Sequence, residues 1–358
     1  MDDSIMNRNE KILRHINKKG RGLEIGPSHN PVAPKREGYK VHIIDHMNRE
    51  QLLEKYKNHH VDINKIEDVD FVWNGESYSS LTGKTNYYDY IIASHVIEHM
   101  PDLVGFIEDC SAVLKDDGIL SIVVPDKRYC FDRYRPITGI SRIIDSHLCK
   151  NKIHTAGTVA EYFLNVVSRG GHIAWDKNAD GEYRFVHSLS DALLGIKSVV
   201  NENKYYDVHA WCFTPHSFRL IVDDLYSLGL ISLREIDFFP TEGCEFYVTL
   251  GRHGTGHNIP RLEILETIEK EESSILRTEF IDDIHGAEAG AGTAVSDMVE
   301  MRQNIQAMQS SIIVLTEGLE RLNTLVEERM AAPRNDAQFI GRIFSWFGKV
   351  RGRITGNA

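Results

Sequence analysis

The chain lacks any apolar run of the roughly 18 residues that a membrane-spanning helix takes. Its first residues, Met1-Asp2-Asp3-Ser4, lack the basic stretch and apolar core of a secretory signal. It also lacks positive charge. The formal net charge is -11 over 358 residues, whereas a phosphate-rich partner needs clustered cations, so nucleic acid is not expected as a partner. No C-x-x-C pair occurs. The five cysteines, Cys110, Cys130, Cys149, Cys212 and Cys244, are odd in number and widely spaced. That signals neither a zinc site nor a disulfide framework, and reduced thiols in a cytosol are expected. There is no G-x-x-x-x-G-K-S/T loop and no three-glycine dinucleotide turn. P-loop chemistry is thereby without a motif, and a diphosphate cradle is poorly supported.

What is present reads as a chain with a folded core. Hydrophobic residues make up 42% and charged residues 26% of the chain. From about residue 8 to 250, short apolar runs alternate with helix-like stretches, the pattern of an α/β sheet protein. Strands are expected at 22–25, 40–45, 70–73, 88–93, 119–124, 233–239 and 245–250. Helices are expected at 49–57 and 103–114, the second stopped by Lys115-Asp116-Asp117-Gly118. Residues 126–215 are less regular and rich in His, Arg, Tyr and Trp, and would cover the carboxyl edge of the sheet.

That edge carries the chemistry, because open α/β sheets bind ligands there. Leu23-Glu24-Ile25-Gly26-Pro27-Ser28 is a strand followed at once by a glycine, which lets backbone approach a ligand closely. Asp45 ends the second strand about 20 residues later, where a carboxylate accepts hydrogen bonds from ribose hydroxyls. Tyr88 to His99 forms a third apolar strand ending in polar residues. One nucleotide-like ligand across three edges is the expectation.

These segments, together with Pro101-Asp102 and the run from Leu114 to Asp126, resemble the class I S-adenosylmethionine-dependent methyltransferases. The resemblance covers residues 20–250. It implies a Rossmann-like, seven-stranded, mostly parallel sheet with an antiparallel last strand, and S-adenosylmethionine as cofactor. By the same resemblance Glu24 and Gly26, with Pro27 in the turn, would hold the methionine end of the cofactor. Asp45 would bind the ribose, Gly75 and Glu76 would lie on the adenine side, and Ser94 and His95 would line the cofactor. Pro27-Ser28 departs from the glycine-rich turn of many relatives.

Gly26 to Pro31, Val124 to Pro136 and Asp207 to Pro215 are similar to methyltransferase modules of bacterial surface-glycan clusters. Such modules methylate sugar hydroxyls of O antigens, and some cap the chain and stop its growth. The alternatives are methylation of a small molecule or nucleotide sugar, and a non-catalytic scaffold for glycan enzymes. Transfer to a hydroxyl needs alignment with the methyl group and a proton acceptor, a task that suits His near neutrality. His209 ranks first, followed by His187, His172 and the carboxylate Asp126, with His154 also in the covering region. Arg128, Tyr129, Arg133 and Arg135 are candidates to grip the acceptor. Trp211, Trp175 and Tyr183 are candidates to stack on sugar rings. Several His and Asp residues could converge on a metal, but no spacing demonstrates one.

The texture changes after residue 252. A methyltransferase domain over 1–252 and a polar, partly helical linker over 253–294 are expected. In the heptad that follows, Met298, Ile305, Ile312, Leu319 and Val326 occupy a, and Met301, Met308, Leu315 and Leu322 occupy d. A parallel coiled coil over 295–332, dimeric or else trimeric, follows from that filling. A helix packed on the catalytic domain is the plainer reading. In residues 334–358, Phe339, Ile343, Trp346, Phe347 and Val350 share one helical face, flanked by Arg342, Lys349, Arg351 and Arg353. This basic amphipathic helix suits a membrane interface, or else a protein partner such as a glycosyltransferase. The expected place is the cytoplasm, peripheral on the inner face of the membrane, next to a lipid-linked glycan acceptor.

Overall fold

The computed structural model describes residues 6–273. The predicted coiled coil at 295–332 and the tail helix at 334–358 lie outside the described residues. In chain order the elements are α1 (Arg8–Leu13), β1 (Arg21–Ile25), β2 (Lys40–Asp45), α2 (Arg49–Tyr56), β3 (Phe71–Val72), α3 (Tyr78–Thr82), β4 (Tyr88–Ser94), α4 (Leu103–Val113) and β5 (Leu114–Pro125). A helical insertion follows with α5 (Ile140–Leu148), α6 (Ala156–Asn165), the hairpin β6 (Val167–Arg169) and β7 (Tyr183–Phe185), and α7 (Leu189–Glu202). Then come α8 (Pro215–Ser227), β8 (Arg234–Glu242) and β9 (Glu245–Gly251).

Seven strands form one sheet in the order β3-β2-β1-β4-β5-β9-β8. β1 to β5 pair in parallel, and β9 pairs antiparallel with both β5 and β8. The expected sheet with its antiparallel last strand is the one observed. Both faces are covered, which is why the strands read as apolar runs rather than as alternations. On one face Leu23, Ile91 and Ile122 pack with Phe106 of α4 and Phe218 of α8. On the other, Tyr90, Ile92 and Val123 pack with Ile12 of α1. The strand order reverses between β1 and β4, so the carboxyl ends of these two flank the crevice where such sheets take ligands.

The boundary between α4 and β5 differs from the sequence expectation. α4 is capped by Asp102, which accepts the Gly105 N–H at 2.9 Å, but it ends at Val113. Leu114 is already extended, at φ -71 and ψ 145. Lys115 to Gly118 therefore belongs to β5, and Gly118 is no left-handed helix stop. Its extended form brings a would-be Cβ within 3.0 Å of the Tyr88 carbonyl, so the residue is small because two strands converge there. The linker expected over 253–294, polar and partly helical, is described only as far as residue 273. Arg252 donates to the carbonyls of Ser111 and Lys115, at 2.7 Å each. Residues 261–273 are helical, with Ile264 buried and His216 Nδ1 2.6 Å from Glu271 Oε1. This segment packs on the sheet domain.

Candidate active site

The carboxyl ends of β1 and β2 form the first half of the site. Gly26 leaves β1 with φ +62, a conformation an L side chain rarely adopts, and its N–H donates to the Ile44 carbonyl at 2.8 Å. A Cβ on Gly26 would meet one heavy atom within 4 Å, Val96 Cγ2 at 3.1 Å. The space above the turn is otherwise open, so a ligand can lie against bare backbone. Pro27 and Ser28 complete the turn, and the Ser28 N–H donates to Asp45 Oδ2 at 3.0 Å. Asp45 is buried at the end of β2, and its Oδ1 accepts the His46 N–H at 2.8 Å. His46 Nδ1 lies 2.6 Å from the same Oδ1, and a carboxylate offers about four acceptor positions, so these three contacts do not exhaust it. Asp45 pairs in register with Val72 of β3. That places the turn after β3, with Gly75 at φ +94 and Glu76 accepting the Asn74 N–H, beside the same edge.

Glu24 has a different place from the one implied. It is 2% exposed, and its two oxygens accept the N–H groups of Val32 at 2.6 Å and Ala33 at 3.1 Å. It holds the loop after Gly26 in shape and does not face the open edge. Burial pushes its carboxyl up to about 7 against those two donors. Ser94 and His95, at the end of β4, are likewise engaged. Ser94 Oγ accepts from Arg8 Nη2 at 2.9 Å. His95 Nε2 lies 2.6 Å from Glu245 Oε2. Burial would lower the His95 pKa, but Glu245 and Glu98 outweigh it and raise it to about 9.

The second half of the site lies past β4 and β5. His95 has φ +54, so the chain turns sharply into a 3-10 turn over Ile97–His99. The returning segment before α8 runs alongside, its Ala210 N–H donating to the Glu98 carbonyl at 2.7 Å. His209 thereby reaches this turn. It is 6% exposed, with Nδ1 2.5 Å from Asp132 Oδ2 and Nε2 3.9 Å from Glu98 Oε1. Asp132 is itself buried. Burial would raise its carboxyl, but His209 and Arg135 outweigh that and hold it far below the usual range. Among the described residues, one set of ligand-bearing side chains converges: Glu98, His99 and His209, each offering an atom within 4.8 Å of the others. The sequence offers no metal spacing and no pattern that singles out Glu98, His99 or Asp132. The only signal was a Glu-His pair just beyond a strand end.

The remaining candidates scatter. Asp126 is fully buried and engaged, pairing with Arg128 Nη2 at 2.6 Å and accepting from Thr241 Oγ1 at 2.5 Å, so it is no free base. Arg128 spends its charge on that pair. With Tyr129 it also lines a cleft of about 480 Å³ bordered by Lys177, His216 and Glu271. Arg133 is buried and donates to the Arg128 carbonyl, and Arg135 is buried between Asp132 and Glu161. Both hold the insertion together rather than grip an acceptor. Trp211 is core, its Nε1 donating to the Met100 carbonyl at 2.7 Å. Trp175 is buried, its ring 5.7 Å from that of Tyr183. His172 is exposed in the β6–β7 connection, and His187 packs on Phe163. His154 is buried, and burial lowers it to about 4. Of the four named catalytic candidates, His209 alone sits in the converging group.

Residues 3–187 match the family model described as a methyltransferase domain. No curated protein matches the chain. Among solved structures, an S-adenosylmethionine-dependent methyltransferase from Aquifex aeolicus is 14% identical, covering 68% of this chain and 88% of its own, with a TM-score of 0.35. One from Methanosarcina mazei is 13% identical, covering 67% and 95%, with a TM-score of 0.34. The 1,6-didemethyltoxoflavin-N1-methyltransferase of Burkholderia thailandensis is 12% identical, covering 69% and 76%, with a TM-score of 0.33. With the family match over half the chain, and an edge at Gly26 and Asp45 that fits S-adenosylmethionine, this enzyme is an S-adenosylmethionine-dependent methyltransferase, and the chain belongs to the methyltransferase domain family.

Proposed function

We propose that the acceptor is a sugar hydroxyl of a bacterial surface glycan, and that the enzyme is an O-methyltransferase acting on a lipid-linked chain at the inner face of the cytoplasmic membrane. The observation that carries this reading is His209. Its Nδ1 is tied to Asp132, so the Nε2 lone pair faces the polar end of β4, next to the cofactor edge. S-adenosylmethionine supplies a methyl group on a good leaving group. A hydroxyl must still be aligned with it and relieved of a proton. The buried acid and imidazole side chains at this edge are the groups suited to that. The cleft lined by Tyr129 and Lys177, about 480 Å³ in volume, is the place proposed for the sugar units of the polymer. The predicted tail helix, with Trp346 and Phe347 among cations, supports a membrane-held acceptor over a soluble one.

The test is incubation with methyl-labelled cofactor and either the host's extracted glycan or free nucleotide sugars, followed by linkage analysis. Label is expected on one sugar hydroxyl of the polymer. His209→Ala should lower the rate by about 100-fold or more with cofactor affinity unchanged. Label appearing on nucleotide sugars alone would sink the glycan reading.

A further inference from the structure

Glu98 has no exposed surface, and neither of its oxygens has a hydrogen-bond partner. A buried carboxylate in that state is costly unless a positive charge faces it. His95 Nδ1, at 3.5 Å from Oε1, pairs with one side of it, and the remaining neighbours are ring nitrogens: His209 Nε2 at 3.9 Å from Oε1, with His99 in the same 4.8 Å group. The other nitrogen of His209 is held by Asp132 at 2.5 Å. A carboxylate behind a histidine is how proteins fix the ring that ligates a metal. A second carboxylate, Asp207 Oδ1, lies 2.9 Å from His99 Nδ1 at the exposed rim. Two imidazoles and one carboxylate that converge without bonding one another have the composition of an open divalent site.

We propose that Glu98, His99 and His209 bind a divalent first-row transition cation that coordinates the acceptor hydroxyl. This rests on the methyltransferase reading above and changes its chemistry at one point, since His209 Nε2 is then a ligand. The hydroxyl oxygen on the cation gives up its proton to water. Its lone pair forms the O–CH₃ bond while the C–S bond of the cofactor breaks, and that electron pair stays on sulfur. The cation keeps its charge throughout. Three protein ligands leave positions open, and two adjacent hydroxyls of one sugar fill two of them, so the site favours a vicinal diol over an isolated alcohol.

Full-length protein stripped with EDTA and titrated with Mn²⁺, read by electron paramagnetic resonance, is expected to bind one ion per chain. Glu98→Gln is expected to weaken that binding at least tenfold, while calorimetry shows unchanged cofactor binding. His99→Ala, at a half-buried position, carries the same test should Glu98→Gln fail to fold. No bound Mn²⁺, or equal binding by both variants and the parent, overturns the proposal. Full methyl transfer in EDTA also overturns it and leaves the glycan reading standing. Bound Mn²⁺ with label on no glycan leaves the cation site standing and removes the glycan reading.

Discussion

Glu24 lies in β1 between the core residues Leu23 and Ile25, and that position sets its titration. Burial raises its carboxyl from 4.5 to about 7, opposed by the Val32 and Ala33 N–H groups. The sign follows from which state holds the proton. Between 4.5 and about 7 the folded chain keeps a proton that the unfolded chain has lost. The stability from this group is therefore full below pH 4.5 and is lost as pH rises through 7. At about 1.4 kcal/mol per unit, the window is worth about 3 kcal/mol. Urea unfolding of Glu24→Gln and the parent at pH 5 and pH 8 checks it. The parent should lose about that much relative to the variant, and parallel behaviour would show that Glu24 does not titrate in this window. The residue also shows how far the sequence could be read. An acidic residue two places before Gly26 is visible in the sequence, but which partner takes its oxygens depends on a loop that folds back by eight residues. Glu98, His99, Asp132 and His209 come from three separate segments, so no spacing in the sequence could join them.

Elements whose burial follows their apolar pattern were legible, and α7 shows the converse. The seven strands stood out because both faces of the sheet are covered. α7 instead buries its small residues, Ala192, Gly195 and Ser198, and exposes Leu189, Leu193, Leu194 and Val200. Its apolar stripe therefore points away from the domain, and periodicity alone orients it wrongly. The buried side is tight. A Cβ on Gly195 would sit 2.8 Å from Val159 Cγ1 and 3.0 Å from Phe163 Cε2 in α6. Alanine gains about 1 kcal/mol over glycine within a helix. Overpacking costs about 1–3 kcal/mol, because neither a β-branched valine nor a packed ring can move aside freely. Packing should win, so Gly195→Ala is expected to be destabilised by about 1 kcal/mol in thermal or urea unfolding. A variant more stable than the parent would mean that α6 and α7 separate easily.

For the whole molecule, the question is how a chain of net charge -11 would bind an anionic membrane, as proposed above. Overall charge opposes contact, so attraction must be local, from Arg342, Lys349, Arg351 and Arg353 beside the aromatic face of the predicted tail helix. A single amphipathic segment with a few cations binds reversibly and weakly. The predicted coiled coil at 295–332 would couple two such tails, and coupling raises avidity by roughly 100-fold or more without any new contact. Both segments lie outside the described residues, so a functional measurement carries the test. Polar residues at Ile305, Ile312, Leu315 and Leu319, with the tail left intact, are expected to yield a monomer by light scattering. Affinity for vesicles of anionic lipid should fall by about 100-fold. Deleting 334–358 should abolish vesicle binding and leave the dimer. If the heptad variant floats with vesicles as well as the parent does, the tails act singly and the coiled coil serves some other assembly. If the deletion still floats, the membrane contact belongs elsewhere on the chain, and the exposed apolar face of α7 is the next surface to alter.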